Sequence, residues 1–422
     1  MSWRIGVDIG GAFTDLLAIN DETGEMIWVK VESTPPRYSE GVINTIKRAG
    51  IDMKNVSYIV HGQTVVINTI ITRTGAKVGL ITTEGFDILE IGRANRRDLF
   101  NLKYRKPEPF VSRNLTEKVE ERILVDGSVL KPLNEAQVRE AVKRLLDKGA
   151  ESIAISFINS YANPEHEKKA KEITGEVMRS LNLQPYVTAS HELTREWREY
   201  ERTSTAVLNA YTQPRLHSYL SELESAFDGM GFSGAFYVMT ASAGYVTSDY
   251  AKKYPIQTVE GGPIAGIVGG VELGKLLGDR NIIVLDGGST TTKAGLVEGL
   301  KPKITTEYYV ERDRYRAGYP LRVPVVEIVE TGNGGTSIVW VDETGNLRVG
   351  PKAAGAYPGP ACYGKGGEEP TVTDAYVVTG LLNPEYLLGG ELKIDKKLAE
   401  KSLKKIADKY DTSIEEVANG VV

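Results

Sequence analysis

A short glycine turn that follows an acidic residue occurs twice in this sequence, and it constrains the fold more than any other feature. The two stretches are "VDIGGAFTD" (7–15) and "LDGGSTTTK" (285–293). Each begins with an apolar residue and an acid, contains two adjacent glycines and has threonine at its eighth position. Strand-like segments enter and leave both turns, at 4–8 and 16–20 and at 281–286 and 294–299. The repetition predicts two structurally related domains that face each other.

Turns of this kind suit the binding of a polyphosphate. Glycine lets the backbone approach a phosphate, and successive N–H groups of a turn point at its oxygens. A carboxylate beside a polyphosphate is repelled unless Mg²⁺ lies between them. Asp8 and Asp286 are therefore predicted to be catalytic, and Asp8, Asp15 and Asp286 are the predicted metal ligands. The predicted phosphate-binding residues are Gly10, Gly11, Thr14, Gly287, Gly288, Ser289, Thr290, Thr291, Lys293, Gly334 and Gly335.

Each of these assignments has a structural alternative. Acid–glycine turns are common in ordinary β-hairpins, so one copy alone would be weak evidence. Gly334 and Gly335 belong to "VETGNGGTS" (329–337), which fits either the cleft or a tight loop. His61 follows a predicted strand and is a candidate catalytic residue, although a purely structural histidine is the commoner outcome. The sequence lacks both "GxxxxGK[ST]" and a strand–turn–helix "GxGxxG", which excludes P-loop and Rossmann sites.

Alternating strands and helices elsewhere predict an α/β protein. The stretch 133–157 reads as a helix followed by a buried strand, with Asn134 as the helix cap. The longest helical segment, 194–227, contains Pro214, which predicts two helices or a kink. The predicted domains are 1–200 and 201–422, with an insertion around 95–200.

Composition excludes several classes of partner. The 422 residues carry 51 basic and 56 acidic side chains that are well mixed, so no basic stripe suits nucleic acid. Cys362 is the only cysteine, which fits a reducing compartment. No stretch reaches the roughly 18 uncharged apolar residues of a membrane span. We therefore expect a cytoplasmic protein.

The paired turns resemble the phosphate-binding hairpins of the actin, Hsp70 and sugar-kinase superfamily. Five segments carry a narrower resemblance: "DIGGAFTD" (8–15), "HGQTVVINTI" (61–70), "REYERTSTAVLNAY" (198–211), "EGGPIAGIVGG" (260–270) and "GPKAAGAYPGPACYGKGGEEPTVTDA" (350–375). With these segments the chain resembles the hydantoinase A and 5-oxoprolinase family over essentially its whole length. The resemblance implies two actin/Hsp70-like (ribonuclease H-like) domains that flank a nucleotide cleft, with an inserted α/β subdomain.

The resemblance also implies a function, in which ATP and Mg²⁺ open a cyclic amide such as a hydantoin, oxoproline or lactam. The phosphoryl group is transferred to the amide oxygen, and a second, hydantoinase B-type subunit often completes hydrolysis, so an oligomer is expected. The alternative is a subunit of an ATP-dependent ketone carboxylase that acts on acetone or acetophenone. Family members extend well beyond this length, so the chain is expected to be a fragment or to have a separate remainder.

Two further features bear on these hypotheses. Lys293 stands where the second turn of the family usually has an acid. This departure keeps open a third alternative, a non-catalytic actin-like module that binds nucleotide. Arg93, Arg96 and Arg97 form a small basic cluster that would suit a substrate carboxylate or phosphate, or a solvated loop.

Overall fold

The computed structural model describes residues 2–34, 37–86, 89, 100–104, 108–312, 315–387 and 393–422. The fold is mixed α/β, as predicted. Its largest sheet has six strands, in the spatial order Tyr245–Thr247, Ala235–Met239, Val56–Gln63, Trp3–Ile9, Phe13–Asn20 and Met26–Glu32. Trp3–Ile9 lies in the interior of this sheet. It pairs antiparallel with Phe13–Asn20 and parallel with Val56–Gln63, which buries its apolar side chains.

A second sheet has three of its four strands within the predicted insertion around 95–200, whereas Val78–Thr83 lies before it. Its four strands are parallel, in the order Val187–Ala189, Ser152–Ser156, Val78–Thr83 and Thr116–Val119. The helices Glu135–Asp147 and Glu165–Ser180 pack beside it. Asn134 caps the first of these helices by accepting a hydrogen bond from the Gln137 N–H group, which confirms the predicted helix start.

One long helix, Glu199–Gly229, packs both against the second sheet and against the short strand Tyr319–Leu321. Pro214 lies inside this helix, so the first of the two predicted alternatives, two separate helices, is wrong, and a kink stays a prediction. A proline in a helix interior costs about 3 kcal/mol. Ala210, Leu216 and Leu220 on either side of it are fully buried, and this burial outweighs the local cost. The helix starts at the predicted domain boundary, and the six-stranded sheet takes strands from both sides of that boundary.

The third sheet contains the second copy of the glycine turn. Ile282–Gly287 pairs with Thr292–Glu298, which also pairs with Lys301–Pro302 and Ile328–Thr331. The helix Gly261–Leu277 packs on one face of this sheet. Smaller two-stranded pairs are Arg122–Ile123 with Val129–Lys131, Ile304–Thr305 with Val325–Val326, Tyr308–Val310 with Tyr319–Leu321, and Ser337–Val341 with Leu347–Ala353.

The last part of the chain has a small core of its own. Cys362 is fully buried there among the side chains of Val372, Leu403 and Val417. Among the described residues, no helix has the length and apolar character needed to cross a membrane. Other α-helices among the described residues are Tyr38–Ala49, Val65–Ile71, Ser248–Lys253, Val372–Val378, Lys396–Tyr410 and Ile414–Val421, and 3₁₀ turns there are Met53–Asn55, Arg113–Leu115, Ser190–Glu192, Pro255–Thr258 and Ala361–Tyr363.

Candidate functional site

The two glycine turns have the same hydrogen-bonding pattern. In the first hairpin (Trp3–Asn20), Asp8 is opposite Asp15 and the Gly10 N–H group donates to the Phe13 carbonyl at 2.9 Å. In the second hairpin (Ile282–Glu298), Asp286 is opposite Lys293 and the Gly288 N–H group donates to the Thr291 carbonyl at 2.9 Å. Every position in the second hairpin therefore has an equivalent in the first.

The tips of the two hairpins meet. A Cβ atom built on Gly11 would lie 3.0 Å from Ser289 Oγ. Asp286 and Thr290 are exposed beside this contact, and Ser289 is half-buried. The two turns are far apart in the sequence but lie next to each other in the fold. Asp8 and Asp286 are near the ends of the strands that lead into these turns.

The third glycine cluster supports the second turn from behind. The N–H groups of Gly335 and Thr336 donate to the carbonyls of Gly288 and Ser289, at 3.0 and 2.7 Å. A Cβ atom on Gly334 would lie only 2.6 Å from the backbone of Thr290, so no side chain fits there. The tight-loop interpretation therefore describes this geometry, and a role of Gly334 and Gly335 in a nucleotide cleft stays a prediction.

Asp8 has a buried carboxylate whose pKa is raised well above its ordinary value. Its Oδ1 atom is buried without a hydrogen-bond partner among the described residues. A Cβ atom on either Gly62 or Gly262 would lie 2.6 Å from this oxygen, so two glycines from distant segments enclose the carboxylate. Burial, followed by the negative charges of Asp286 and Asp15, raises the pKa of Asp8 to about 6. A carboxyl group with this pKa can exchange a proton near neutral pH.

The ninth residue of each turn is held in an ion pair. Lys30 donates to both Asp15 oxygens, at 2.8 and 2.7 Å. Lys293 Nζ lies 2.6 Å from Glu260 Oε2, and Tyr308 donates to the other oxygen of Glu260 at 3.0 Å. Burial alone would lower the pKa of Lys293, but the carboxylates of Glu260 and Glu330 hold this pKa above its ordinary value. Lys293 thus lies in a protein ion pair, although sequence reasoning placed it on the phosphates.

His61 lies one residue before Gly62, behind the Asp8 carboxylate. Its Nδ1 atom is 3.1 Å from the Val7 carbonyl, so Nδ1 carries the proton and donates it. Nε2 then accepts from the Tyr219 hydroxyl at 2.8 Å. Burial lowers the pKa of His61 to about 4, opposed by the bond to Val7, so the ring is neutral at pH 7. With both nitrogens engaged, His61 fixes the strand beside Asp8, and a catalytic role for it stays a prediction.

Thr14 also lies beneath its turn. This fully buried residue shares a 3.0 Å hydrogen bond with Ser33, which in turn donates to the Gly10 carbonyl at 2.8 Å. Thr14 therefore supports the first turn, and the exposed hydroxyl of the site is that of Thr290. The predicted basic cluster Arg93, Arg96 and Arg97 lies outside the described residues.

Sequence reasoning missed the residues around Asp8 and Lys293. Gly62, Gly262 and Glu260 were present in the quoted segments "HGQT" and "EGGP", but their roles depend on contacts between distant parts of the chain. Glu260 also has a left-handed backbone with φ of 60°, which is uncommon for a residue other than glycine. The described residues include no group of three or more His, Cys, Asp or Glu side chains that would bind a metal.

Comparison with known proteins places this chain in one family. The profile described as hydantoinase/oxoprolinase matches residues 202–422, and the profile described as hydantoinase/oxoprolinase N-terminal region matches residues 4–178. An uncharacterised protein of Methanocaldococcus jannaschii is 41% identical over 100% of this chain and 63% of its own length. The caprolactamase subunit alpha of Pseudomonas jessenii is 32% identical over 100% of this chain and 60% of its own length.

Two solved structures are similar to the fold. A nucleotide-free structure of acetone carboxylase, an enzyme of ATP-dependent acetone carboxylation, has a TM-score of 0.84 and 30% identity, covering 99% of this chain and 60% of that one. The crystal structure of the ATP-dependent caprolactamase of Pseudomonas jessenii has a TM-score of 0.78 and 32% identity, covering 99% and 61%. The chain thus spans about three-fifths of the length of these relatives.

Proposed function

The chain belongs to the hydantoinase/oxoprolinase family, as its motifs predicted, and on this premise we propose that it provides the ATP site of an enzyme that hydrolyses a cyclic amide. The substrate class is a hydantoin, an oxoproline or a lactam. The observation that carries the proposal is the meeting of two equivalent hairpins at Gly11 and Ser289, with Asp8 and Asp286 at corresponding positions. The similarity to an ATP-dependent caprolactamase supports it.

In this proposal the two turns hold the phosphates of ATP from opposite sides. Gly10 and Gly11 of the first turn and Gly287 and Gly288 of the second let the phosphates approach the backbone, because no side chain is in the way. The N–H groups of Gly10 and Gly288 close their own hairpins, so Gly11 is the glycine of the first turn that is proposed to donate to a phosphate. Ser289, Thr290 and Thr291 add hydroxyl donors. Lys293 would join them only by leaving Glu260.

Asp8 and Asp286 are the proposed ligands of Mg²⁺. The unpartnered, buried Oδ1 atom of Asp8 fits this role, because Mg²⁺ is commonly held by one or two carboxylates together with substrate phosphates. Asp15 would first have to break its bonds to Lys30. When bound, Mg²⁺ would neutralise charge that develops on the transferred phosphoryl group.

The reaction that we propose begins with transfer of the γ-phosphoryl group to the amide oxygen. The P–O bond to ADP breaks, the new P–O bond forms, and the amide N–H proton is lost. That proton passes to water, because Asp8 is engaged as a metal ligand in this proposal. Water then adds to the activated carbon, the ring C–N bond breaks, and hydrolysis of the remaining acyl phosphate releases phosphate. A hydantoinase B-type subunit is the proposed partner for these last steps.

Ketone carboxylation is the second candidate function. It is favoured by the higher TM-score with acetone carboxylase, 0.84, than with caprolactamase, 0.78. Both reactions would use the same ATP site, since each needs a carbonyl compound activated by ATP. Only carboxylation needs bicarbonate as a co-substrate, and this requirement distinguishes the two functions.

The test measures phosphate release from ATP with cyclic amides, with ketones, and with ketones plus bicarbonate. The chain is produced together with the polypeptides encoded beside it. We expect turnover that depends on a cyclic amide and is lost in Asp8→Asn, while Asp126→Asn, an exposed acid of the inserted region, keeps it. Turnover that needs ketone and bicarbonate would assign the second function. Nucleotide binding without stimulation by either class would contradict both and favour the non-catalytic module.

A further inference from the structure

The equivalence of the two hairpins shows that the second sheet lacks a neighbour that the first sheet has. In the first, Trp3–Ile9 has Phe13–Asn20 on one side and the parallel strand Val56–Gln63 on the other. Within the described part of the chain, the equivalent strand Ile282–Gly287 pairs only with Thr292–Glu298. Its other side, which we call the open edge, is unpaired there.

One face of the second sheet is also left uncovered by the part of the chain that the structure describes. The outer face consists of Ile283, Leu285, Leu296 and Val329, which lie in adjacent rows of the sheet. Ile283 and Leu285 are 69% and 71% exposed, whereas the equivalent Ile5 and Val7 are 1% and 3% exposed. The helix Gly261–Leu277 covers the opposite face, where a Cβ atom built on Gly270 would lie 2.4 Å from Val284 and one built on Gly274 would lie 2.2 Å from Ile282. An apolar strand with both an open edge and an uncovered face is typical of an interface.

We propose that the open edge and the outer face bind a β-strand and apolar side chains from the region that the relatives possess and this chain does not span. That region amounts to about two-fifths of their length, since the match covers 60% to 63% of them. By equivalence with Val56–Gln63, the bound strand runs parallel to Ile282–Gly287. Pairing would connect the bound region directly to the strand that ends at Asp286.

The hydrogen-bonding pattern identifies which backbone groups take part. Gly288 is bonded across the hairpin to Thr291, and such pairs alternate along an antiparallel ladder. Ile282, Val284 and Asp286 therefore direct their N–H groups into the hairpin. Ile283, Leu285 and Gly287 direct theirs to the open edge, as Ile5, Val7 and Ile9 do towards Val56–Gln63.

Hydrogen–deuterium exchange on residues 1–422, alone and with a separately produced polypeptide that aligns with the unspanned region of the relatives, tests the proposal. We expect the amides of Ile283, Leu285 and Gly287 to exchange at least ~10-fold more slowly in the mixture, because pairing suppresses local opening. Leu285→Asp, and independently Ile283→Asp, should weaken binding at least ~10-fold by placing a charge in an apolar contact. Val125→Asp, at a 74% exposed site of the inserted region, should bind normally.

Three results would overturn the proposal. The first is unchanged exchange in the mixture, and the second is equal binding by Leu285→Asp and the unaltered chain. The third is protection that rises with the concentration of the chain alone together with a dimer in sedimentation, which would assign the edge to a second copy. These measurements use neither ATP nor a cyclic amide. A negative result here would therefore leave the proposed function untouched, and the reverse also holds.

Discussion

Gly262 approaches Asp8 so closely that a Cβ atom on Gly262 would lie 2.6 Å from Asp8 Oδ1. The first turn of the helix Gly261–Leu277 is therefore built against the carboxylate at the end of the first strand. Gly62 makes the same approach from the neighbouring strand. Only a residue without a side chain leaves the carboxylate in place at either position.

Gly262→Ala should displace the Asp8 carboxylate and reduce substrate-dependent phosphate release at least ~10-fold, equivalent to about 1.4 kcal/mol of transition-state stabilisation. Steady-state phosphate release at saturating ATP measures the effect. Gly266→Ala is the matched control, because a Cβ atom there meets nothing within 4 Å in the same helix. It should keep full activity and raise the free energy of unfolding by about 0.5–1 kcal/mol. Equal activity of the two variants would contradict the role of Gly262.

Asp8 should make stability depend on pH in the direction opposite to most carboxylates. Its pKa of about 6 in the folded chain exceeds the ordinary value of 3.8, so the folded state binds the proton more tightly. The free energy of unfolding therefore decreases as pH rises from about 4 to about 6, and the loss persists above that range. Asp8→Asn should remove this decrease and be about 1–3 kcal/mol more stable at pH 7. Urea unfolding of both proteins from pH 4.5 to 8, without nucleotide, measures it; parallel pH profiles would refute the prediction.

The buried Glu260–Lys293 pair should be far more important for stability than a surface pair of equal length. Lys293→Met leaves the 2%-exposed Glu260 without its cation and should cost about 3–5 kcal/mol. The double variant with Glu260→Gln should cost clearly less than the sum of the single changes. The control cycle uses Glu272 and Lys275, also 2.6 Å apart but solvent-exposed, where about 1 kcal/mol or less is expected. Additive effects at Glu260 and Lys293 would show that the pair is not coupled.

His61 should remain neutral across the working pH range, because burial lowers its pKa to about 4. Its imidazole NMR signals should not titrate between pH 5.5 and 8. Since the folded pKa lies below the ordinary value of 6.5, its contribution to stability is full above about 6.5 and is lost as pH falls towards 4. A midpoint near 6.5 would show that the ring is open to solvent.

Tyr219→Phe should leave the Nε2 atom of His61 without a donor and cost about 1–3 kcal/mol of unfolding free energy. Tyr250→Phe is the matched control, since its hydroxyl makes only an exposed 3.3 Å hydrogen bond to Gln257. A change within about 0.5 kcal/mol is expected there. If both variants lose the same stability, the contact between His61 and Tyr219 has no special importance.

The sequence was most informative where one short segment determines the structure. The two turns were predicted from their acids, glycines and flanking apolar runs, and both form hairpins with equivalent registers. Asn134 was likewise identifiable, because a helix cap needs only the residues that follow it. These features depend on interactions over a few residues.

Features that depend on contacts between distant segments were not predictable. Nothing adjacent to Lys293 indicates that Glu260, 33 residues earlier, would bind it. The continuity of the helix through Pro214 is likewise set by buried neighbours from other elements. The domain boundaries and the roles of the individual site residues stay predictions.

The helix Gly261–Leu277 lies against both halves of the site, the first hairpin and the second sheet. Its start encloses Asp8 of the first sheet, its preceding residue Glu260 binds Lys293 of the second, and its later glycines lie on Val284 and Ile282. Because Glu260 and the later glycines attach the helix to the second sheet, we expect the helix to move with that sheet. Any hinge movement that separated the hairpin tips would pull Gly262 away from Asp8, and it would therefore change the solvation of that carboxylate at the same moment as it opened the gap.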